Sequence, residues 1–423
     1  MSSPWKKIHS LIRFIVFCCF LLLPGCDKSQ PLPPTCSDPL GCVSIKPGDP
    51  VRIGVLQALS GKVAPLGQAQ IRGLELALDN RNNKILGHPV ELQIEDTGCT
   101  AEGGANAALK IIANPLIPAI FGTTCSASAT TASQAMSDAG LIMISGNNSA
   151  SFLTSVGGKP APYWYPGYFR TANNEENAGR AAAIYAYTHL GLRLAATIND
   201  NDIYTKGHTK SFKKAFIKLG GKVVLDTSIN KGESKMLPVL TAVINSGAEL
   251  IFFPLFQPEG NHLLIQARQL PELARTTLMS DGALIDETFL RNVGEDARSM
   301  YFVGPKKSTG KGVDRLTRRY MEKYNEPPQV SYFLSGYDAA NLLFHAIEQT
   351  AIIHTDGTLH IGRQALRDTL YSVKSFSGVN GELSCNRFGD CHPPCFNILR
   401  LDNPALGLNG LESNILFTYP PDK

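Results

Sequence analysis

The chain has 423 residues, of which 43% are hydrophobic and 18% charged, with a formal net charge of +4. That length exceeds one ordinary core and points to two domains, while the apolar and charged fractions are those of a globular protein. Three of the excess positive charges, Lys6, Lys7 and Arg13, fall in the first 25 residues, and no basic stripe with interleaved aromatics follows them, which argues against a nucleic-acid partner.

Lys6, Lys7 and Arg13 precede the apolar run Phe14 to Leu23, which is too short to span a bilayer as a helix and predicts a targeting segment over residues 1–25. The run ends in Leu23-Pro24-Gly25-Cys26. A cysteine behind a small residue and an apolar run resembles the bacterial lipobox, although Pro24 departs from its usual pattern. By that resemblance Cys26 would carry the lipid that anchors the mature protein to the bacterial membrane on its extracytoplasmic side. Residues 26–50 then read as a tether, proline-rich from Ser29 to Pro34. Export also frames the ten cysteines: Cys18 and Cys19 leave with the targeting segment, Cys26 is modified, and the remainder meet an oxidising compartment that favours disulfides.

From Val51 the pattern alternates strand and helix. Val51 to Leu56 is a strand, Gln68 to Asp79 carries helical spacing, Pro89 to Glu95 is a strand, and Ala101 to Ala113 is helical. In the stretch Gly98 to Ser151, the apolar run Ile117–Gly122 breaks into Thr123-Thr124-Cys125-Ser126, a helix follows, and the run Leu141–Ile144 breaks into Ser145-Gly146-Asn147-Asn148-Ser149. Two hydroxyl-rich loops thus fall side by side at one sheet edge, an arrangement suited to a small anion.

The alternation restarts after Tyr163. Helices are expected at 175–190, 206–219, 235–245 and 260–270, with strands at 194–198, 222–225, 250–253 and 276–279. Beyond these, 299–303 reads as a strand and 312–324, 335–350 and 362–371 as helices, while 375–400 reads as short strands with turns. Continuous apolar strands alternating with helices indicate parallel sheets covered on both faces, so the fold class is α/β with two doubly wound lobes.

The motifs "VRIGVLQALSG", "GLELALDNRNN", "LQIEDTGC", "AIFGTTCSASAT", "GLIMIS" and "FFPLFQPEGNHLLIQAR" resemble, in their order and spacing, the type I periplasmic solute-binding proteins of the leucine/isoleucine/valine class. These are the receptors of branched-chain amino-acid ABC transporters. The resemblance covers about Val51 to Leu401. It implies two lobes joined by three hinge crossings, at about Arg170–Asn174, Met300–Gly304 and Gly378–Gly381. The first lobe would hold residues 51–171 and 300–378, the second 172–299 and 379–423. It also implies an amino-acid ligand between the lobes, an ABC permease as partner, a monomer, and no cofactor or metal. A sensory receptor with a signalling partner is the alternative on the same fold.

An amino acid presents a carboxylate and an ammonium, and a closed cleft must pair both. Ser126 stands where a strand gives way to a helix, so its hydroxyl and the nearby amides suit a carboxylate; it equally suits an N-cap. Ser149 offers a second hydroxyl. The resemblance assigns both to the ligand, gives Asp281 to the ammonium from the other lobe, and adds the carbonyl of Asn147. It places Leu66, Thr124, Tyr204, Phe256 and Tyr332 around the ligand's side chain. Asn147 and Asn148 make that loop more polar than the family's, which opens the pocket to a polar or amide-like ligand.

Cys99 and Cys125 both follow carboxyl ends of parallel strands, and the resemblance implies a disulfide between them. Cys36 and Cys42 are close enough to close a small loop, and Cys385–Cys391 is the pairing expected near the C-terminus. A zinc site from Cys385, Cys391, His392 and Cys395 is the rival there, with a spacing unlike a zinc ribbon. Enzyme signatures are missing from the sequence: there is no G-x-S-x-G or H-E-x-x-H, and Gly304–Lys311 only approximates a P-loop.

Overall fold

The computed structural model describes residues 36–420; the expected targeting segment and Cys26 lie outside them. Two large sheets organise the described chain. The first runs Lys84–Ile85, His88–Asp96, Val51–Gln57, Ala119–Gly122, Ile142–Ser145 and Tyr168–Arg170 in spatial order. Its neighbours pair in parallel apart from the short Lys84–Ile85 arm.

Alternation along each strand divides this sheet between two cores. Ile53, Val55, Phe121, Ile142 and Ile144 pack against helices Ala64–Asp79, Phe333–Thr350 and Arg363–Ser372. Leu56, Ile120 and Met143 face the other way, onto Ala101–Ile112 and Ser126–Asp138. Helices on both faces explain why these strands read as unbroken apolar runs. The last two helices approach closely at Gly104, where a Cβ would lie 2.2 Å from the Ser128 carbonyl oxygen.

The second sheet runs Lys222–Ser228, Leu194–Asn199, Leu250–Phe252, Thr277–Asp281, Tyr301–Pro305, Phe396–Arg400 and Ile415–Tyr419. The first five strands are parallel and the last two antiparallel. Ala196, Ile198, Ile251 and Phe302 face helices Leu237–Ser246, Glu259–Arg268 and Glu287–Val293, whereas Ala195, Phe252, Met279 and Val303 face Glu176–Ile184 and Ile203–Lys218. Fully buried rings such as Phe121, Phe252 and Phe302 each contribute about 1.5–3 kcal/mol through the area they remove from water.

The chain passes between the two sheets at 171–175, 306–310 and 392–395. Two of these passages lie later than the sequence suggested. Tyr301–Pro305 pairs with Thr277–Asp281 and Phe396–Arg400, so it belongs to the second lobe and the passage follows it. The hairpin Phe376–Gly378/Gly381–Leu383 precedes Cys385 and Cys391, which with Leu383 are buried in the first core; that lobe therefore extends to about residue 392 rather than 378. The passages meet at the Cys395 carbonyl, which accepts from Asn173 Nδ2 at 2.8 Å and from the Lys306 amide at 2.9 Å.

One further difference concerns the expected tether. Cys42–Ile45 forms a strand antiparallel to Leu359–Gly362, with Val43 and Ile45 buried in the first core. Among the described residues, no helix is long and apolar enough to cross a membrane.

Candidate functional site

Where strand Ala119–Gly122 ends, Thr123 to Cys125 lead into helix Ser126–Asp138, with Cys125 as its N-cap residue in extended conformation. A disulfide joins Cys125 to Cys99, with Cα atoms 5.2 Å apart. It fixes the helix start to the loop that follows strand His88–Asp96. The first amides of this helix have no intrahelical acceptor, so the positive helix end faces whatever lies beyond it.

The neighbouring loop is laced to this one. Ser145 Oγ donates to the Thr123 carbonyl and accepts from the amides of Asn147 and Asn148. Both asparagine amide groups donate to the Thr124 carbonyl, at 3.1 and 3.0 Å. Asn148 Oδ1 accepts from Thr123 and from the Tyr168 hydroxyl. Asn148 is fully buried and committed on both ends of its amide. It therefore braces the two loops and does not read a ligand, contrary to the sequence expectation. Thr124 Oγ1 is likewise occupied, donating to Gln57 at 2.6 Å and accepting from the Ala58 amide. Ser126 Oγ accepts from the Ala150 amide at 3.2 Å, which leaves its proton available to a carboxylate.

Behind this loop lies Arg170, fully buried. Its Nε meets Asp390 Oδ1 at 2.7 Å, its Nη1 reaches the carbonyls of Asn148 and Ala150, and its Nη2 reaches Thr154 Oγ1. The planar fork of the guanidinium thus holds the loop carrying Ser149 against the segment closed by the Cys385–Cys391 disulfide. That disulfide leaves neither sulfur as a thiolate, which overturns the zinc alternative. Cys36 and Cys42 are each disulfide-bonded.

Opposite the loops, a second set of side chains converges. Asp281, at the end of strand Thr277–Asp281, is fully buried; its Oδ1 accepts from the Ala283 amide, and its Oδ2 has no hydrogen-bond partner. His208 Nε2 lies 3.4 Å from Asp281 Oδ2 and 3.4 Å from Glu175 Oε2. Glu175 is also fully buried; it sits in the first passage between sheets, and its carboxyl takes the Ser149 hydroxyl at 3.4 Å. A Cβ at Gly207 would lie 2.0 Å from Glu175 Oε1, so a glycine on the facing helix makes the room. Burial pushes Asp281 up to about 7, against the pull of the Tyr204 hydroxyl and the Ala283 amide. Burial also holds Glu175 well above the usual carboxylate range and His208 down at about 3. Two desolvated acids and a neutral imidazole therefore stand together.

Between these groups is a cavity with about 100 Å³ open to the centres of water-sized molecules, on the order of seven to ten water positions and so the size of a small organic molecule. Leu66, Thr124, Ser126, Asn147, Ser149, Tyr204, Phe256 and Tyr332 all line it. Asp281 is set just behind the wall formed by Gly282 and Ala283. Tyr204 and Phe256 pack with ring centres 5.1 Å apart. Tyr332, from the first lobe, donates to the Gly282 carbonyl of the second at 3.1 Å, so the lobes meet across the cavity.

Glu175 and His208 line the cavity too, and sequence reasoning missed both. Glu175 had been read as the first residue of a helix, where an acid is ordinary. His208 did leave a signal: it follows Tyr204 by four positions on one helix, which puts the two on one face, and their rings lie 4.7 Å apart.

A family model described as periplasmic binding protein matches residues 50–392. Among curated proteins, the Leu/Ile/Val-binding protein homolog 3 of Brucella melitensis is 24% identical over 84% of this chain and 92% of its own. Among solved structures, a leucine-binding protein of Thermotoga maritima superposes with a TM-score of 0.74 at 22% identity, covering 84% of this chain and 96% of that one. A solute-binding protein of a Rhodopseudomonas palustris ABC transporter, solved with p-hydroxybenzoic acid, gives a TM-score of 0.73 at 19% identity over 89% and 98%.

Proposed function

Because the chain belongs to the periplasmic binding protein family, we propose that it is the extracytoplasmic receptor of an ABC importer for an α-amino acid, binding without catalysis. The observation that carries this reading is the pairing of opposite chemistries across one cavity. The amide-rich helix start at Ser126 and the Ser126 hydroxyl suit a carboxylate. Glu175, backed by Asp281, suits an ammonium. A zwitterion satisfies both ends, and Leu66, Tyr204, Phe256 and Tyr332 are left for its side chain. Asn147, whose amide nitrogen is bonded to the Thr124 carbonyl and which lines the cavity, offers its amide oxygen to a polar side chain or the ammonium.

The comparison with a hydroxybenzoate-bound relative raises an aromatic carboxylate as a second ligand class, and the Tyr204–Phe256 pair would accept its ring. Such a ligand has no cation for Glu175 and Asp281, which favours the amino acid. Ligand closure would shift an open–closed equilibrium about the three passages, and a permease would read the closed form. Lipid attachment at Cys26, after loss of residues 1–25, would hold the receptor near that permease.

A thermal-shift screen of the twenty amino acids, benzoate and 4-hydroxybenzoate tests the reading. A ligand present at a hundred times its Kd stabilises by about 2.7 kcal/mol. Stabilisation by the two benzoates alone, with no response to any amino acid, would refute it.

A further inference from the structure

Resting on the amino-acid reading above, one property of the same site follows from its charge balance. Glu175 and Asp281 are both fully buried, and both approach the same imidazole nitrogen, His208 Nε2, at 3.4 Å. A neutral imidazole donates one proton from that nitrogen and can serve only one of the two acids. The Asp281 Oδ2 and the His208 Nδ1 have no hydrogen-bond partner.

The cations around the cluster are committed or water-screened. Arg170, which pulls on Glu175, is bound to Asp390 and three loop oxygens. On the cavity wall, Lys307 is paired with Glu412, Lys306 is exposed to solvent, and His392 Nε2 is bonded to the Asn380 carbonyl. Lys231 is paired with Asp202. Asp202 and Asp200 add further negative field, and the hydroxyls of Tyr204 and Tyr332 are neutral, their ionisation opposed by burial. Two ionised carboxylates with one neutral histidine between them would form a dry double negative charge, which is far more costly than holding a proton.

We infer that the Glu175–His208–Asp281 cluster holds a proton while the cleft is empty and loses it to bulk buffer when a ligand ammonium arrives, so that binding releases a proton and weakens in acid. The ammonium, held at Glu175 on the cavity side, replaces the proton as the positive charge that offsets the two acids, and the histidine remains the neutral spacer. Linkage sets the sign: below the pH at which the empty cluster binds its proton, each unit of acidification weakens binding about tenfold for one proton displaced.

Titration calorimetry on the full protein, with L-leucine, L-isoleucine, L-valine and L-threonine in phosphate, HEPES and Tris, counts the protons directly from the dependence of the heat on buffer ionisation. The expected result is release approaching one proton per ligand near about pH 6, falling toward zero by about pH 8.5, with affinity rising over the same interval. Asp281→Asn should flatten both profiles, a change that a merely structural role for Asp281 would not produce. Binding that releases no proton across the range, or profiles unaltered in Asp281→Asn, would overturn the inference and leave the amino-acid reading standing. Failure of these four and of the other sixteen amino acids of the thermal-shift screen to bind would overturn that reading and the inference together.

Discussion

Replacing Asp281 with asparagine preserves shape and removes one buried charge, so its effects on stability and on binding should have opposite signs. The carboxyl is fully buried with one oxygen unpaired. Its rise from 3.8 to about 7 corresponds to on the order of 4 kcal/mol of penalty once the group is fully ionised. Because the folded-state pKa is raised, the contribution favouring the fold is complete below about pH 3.8 and lost as pH climbs through about 7. Asp281→Asn escapes that loss. Urea unfolding without ligand should therefore show the variant gaining on the wild type by roughly 2–3 kcal/mol between pH 5 and pH 8. The buried neutral His208 contributes with the opposite sign, since its lowered pKa disfavours the fold in acid; because it lies 3.4 Å from Asp281, the difference reports on the coupled pair. The same variant should bind its amino acid about tenfold more weakly, through loss of the negative charge that backs Glu175. Parallel pH–stability curves, or a variant that is both less stable and unimpaired in binding, would refute the reasoning.

Four further outcomes follow from the site. Ser126→Ala should weaken ligand binding by roughly 1–3 kcal/mol in calorimetry and, because it strands the Ala150 amide, also lower the unfolding midpoint; equal affinity would remove Ser126 from the carboxylate site. Opening the Cys99–Cys125 bridge by a double serine substitution should cost about 3.5 kcal/mol, the loop-closure value for a separation of 26 residues, read by urea unfolding. Asp390→Asn should cost roughly 3–5 kcal/mol, because it strands the buried Arg170 guanidinium; a loss under about 1 kcal/mol would show that water reaches Arg170. Asn148→Ala should lower stability without changing which amino acid binds best, whereas Asn147→Ala should change the ranking in a competition assay.

The βα alternation was legible because parallel strands buried on both faces are unbroken apolar runs, as at Ala119–Gly122 and Ile142–Ser145. The loops at their carboxyl ends were legible for the same reason: Ser126, Asn147 and Ser149 stand where those runs stop. What escaped was decided by distant partners. Cys42–Ile45 looked like the end of a tether because its pairing strand lies more than 300 residues on, at Leu359–Gly362. The limits of the lobes depended on which sheet Tyr301–Pro305 joined, and an isolated five-residue run does not say. Asn148 looked like a ligand reader because its composition is that of one; only the bonds to Thr123, Thr124 and Tyr168 show that it is spent. Glu175 was hidden by its position at a helix start, where an acid has an ordinary explanation.

The carbonyl of Cys395, where Asn173 and the Lys306 amide converge, is a main-chain atom, and this determines what kinds of change the joint tolerates. The backbone presents that oxygen whatever the residue type at 395. Its placement depends instead on the number of residues and the stiffness of the lead-in, His392-Pro393-Pro394, where two prolines fix the backbone torsion. A joint of this kind is set by length and by the stiffness of its lead-in. Deleting or inserting one residue between 392 and 395 should uncouple the two halves of the molecule.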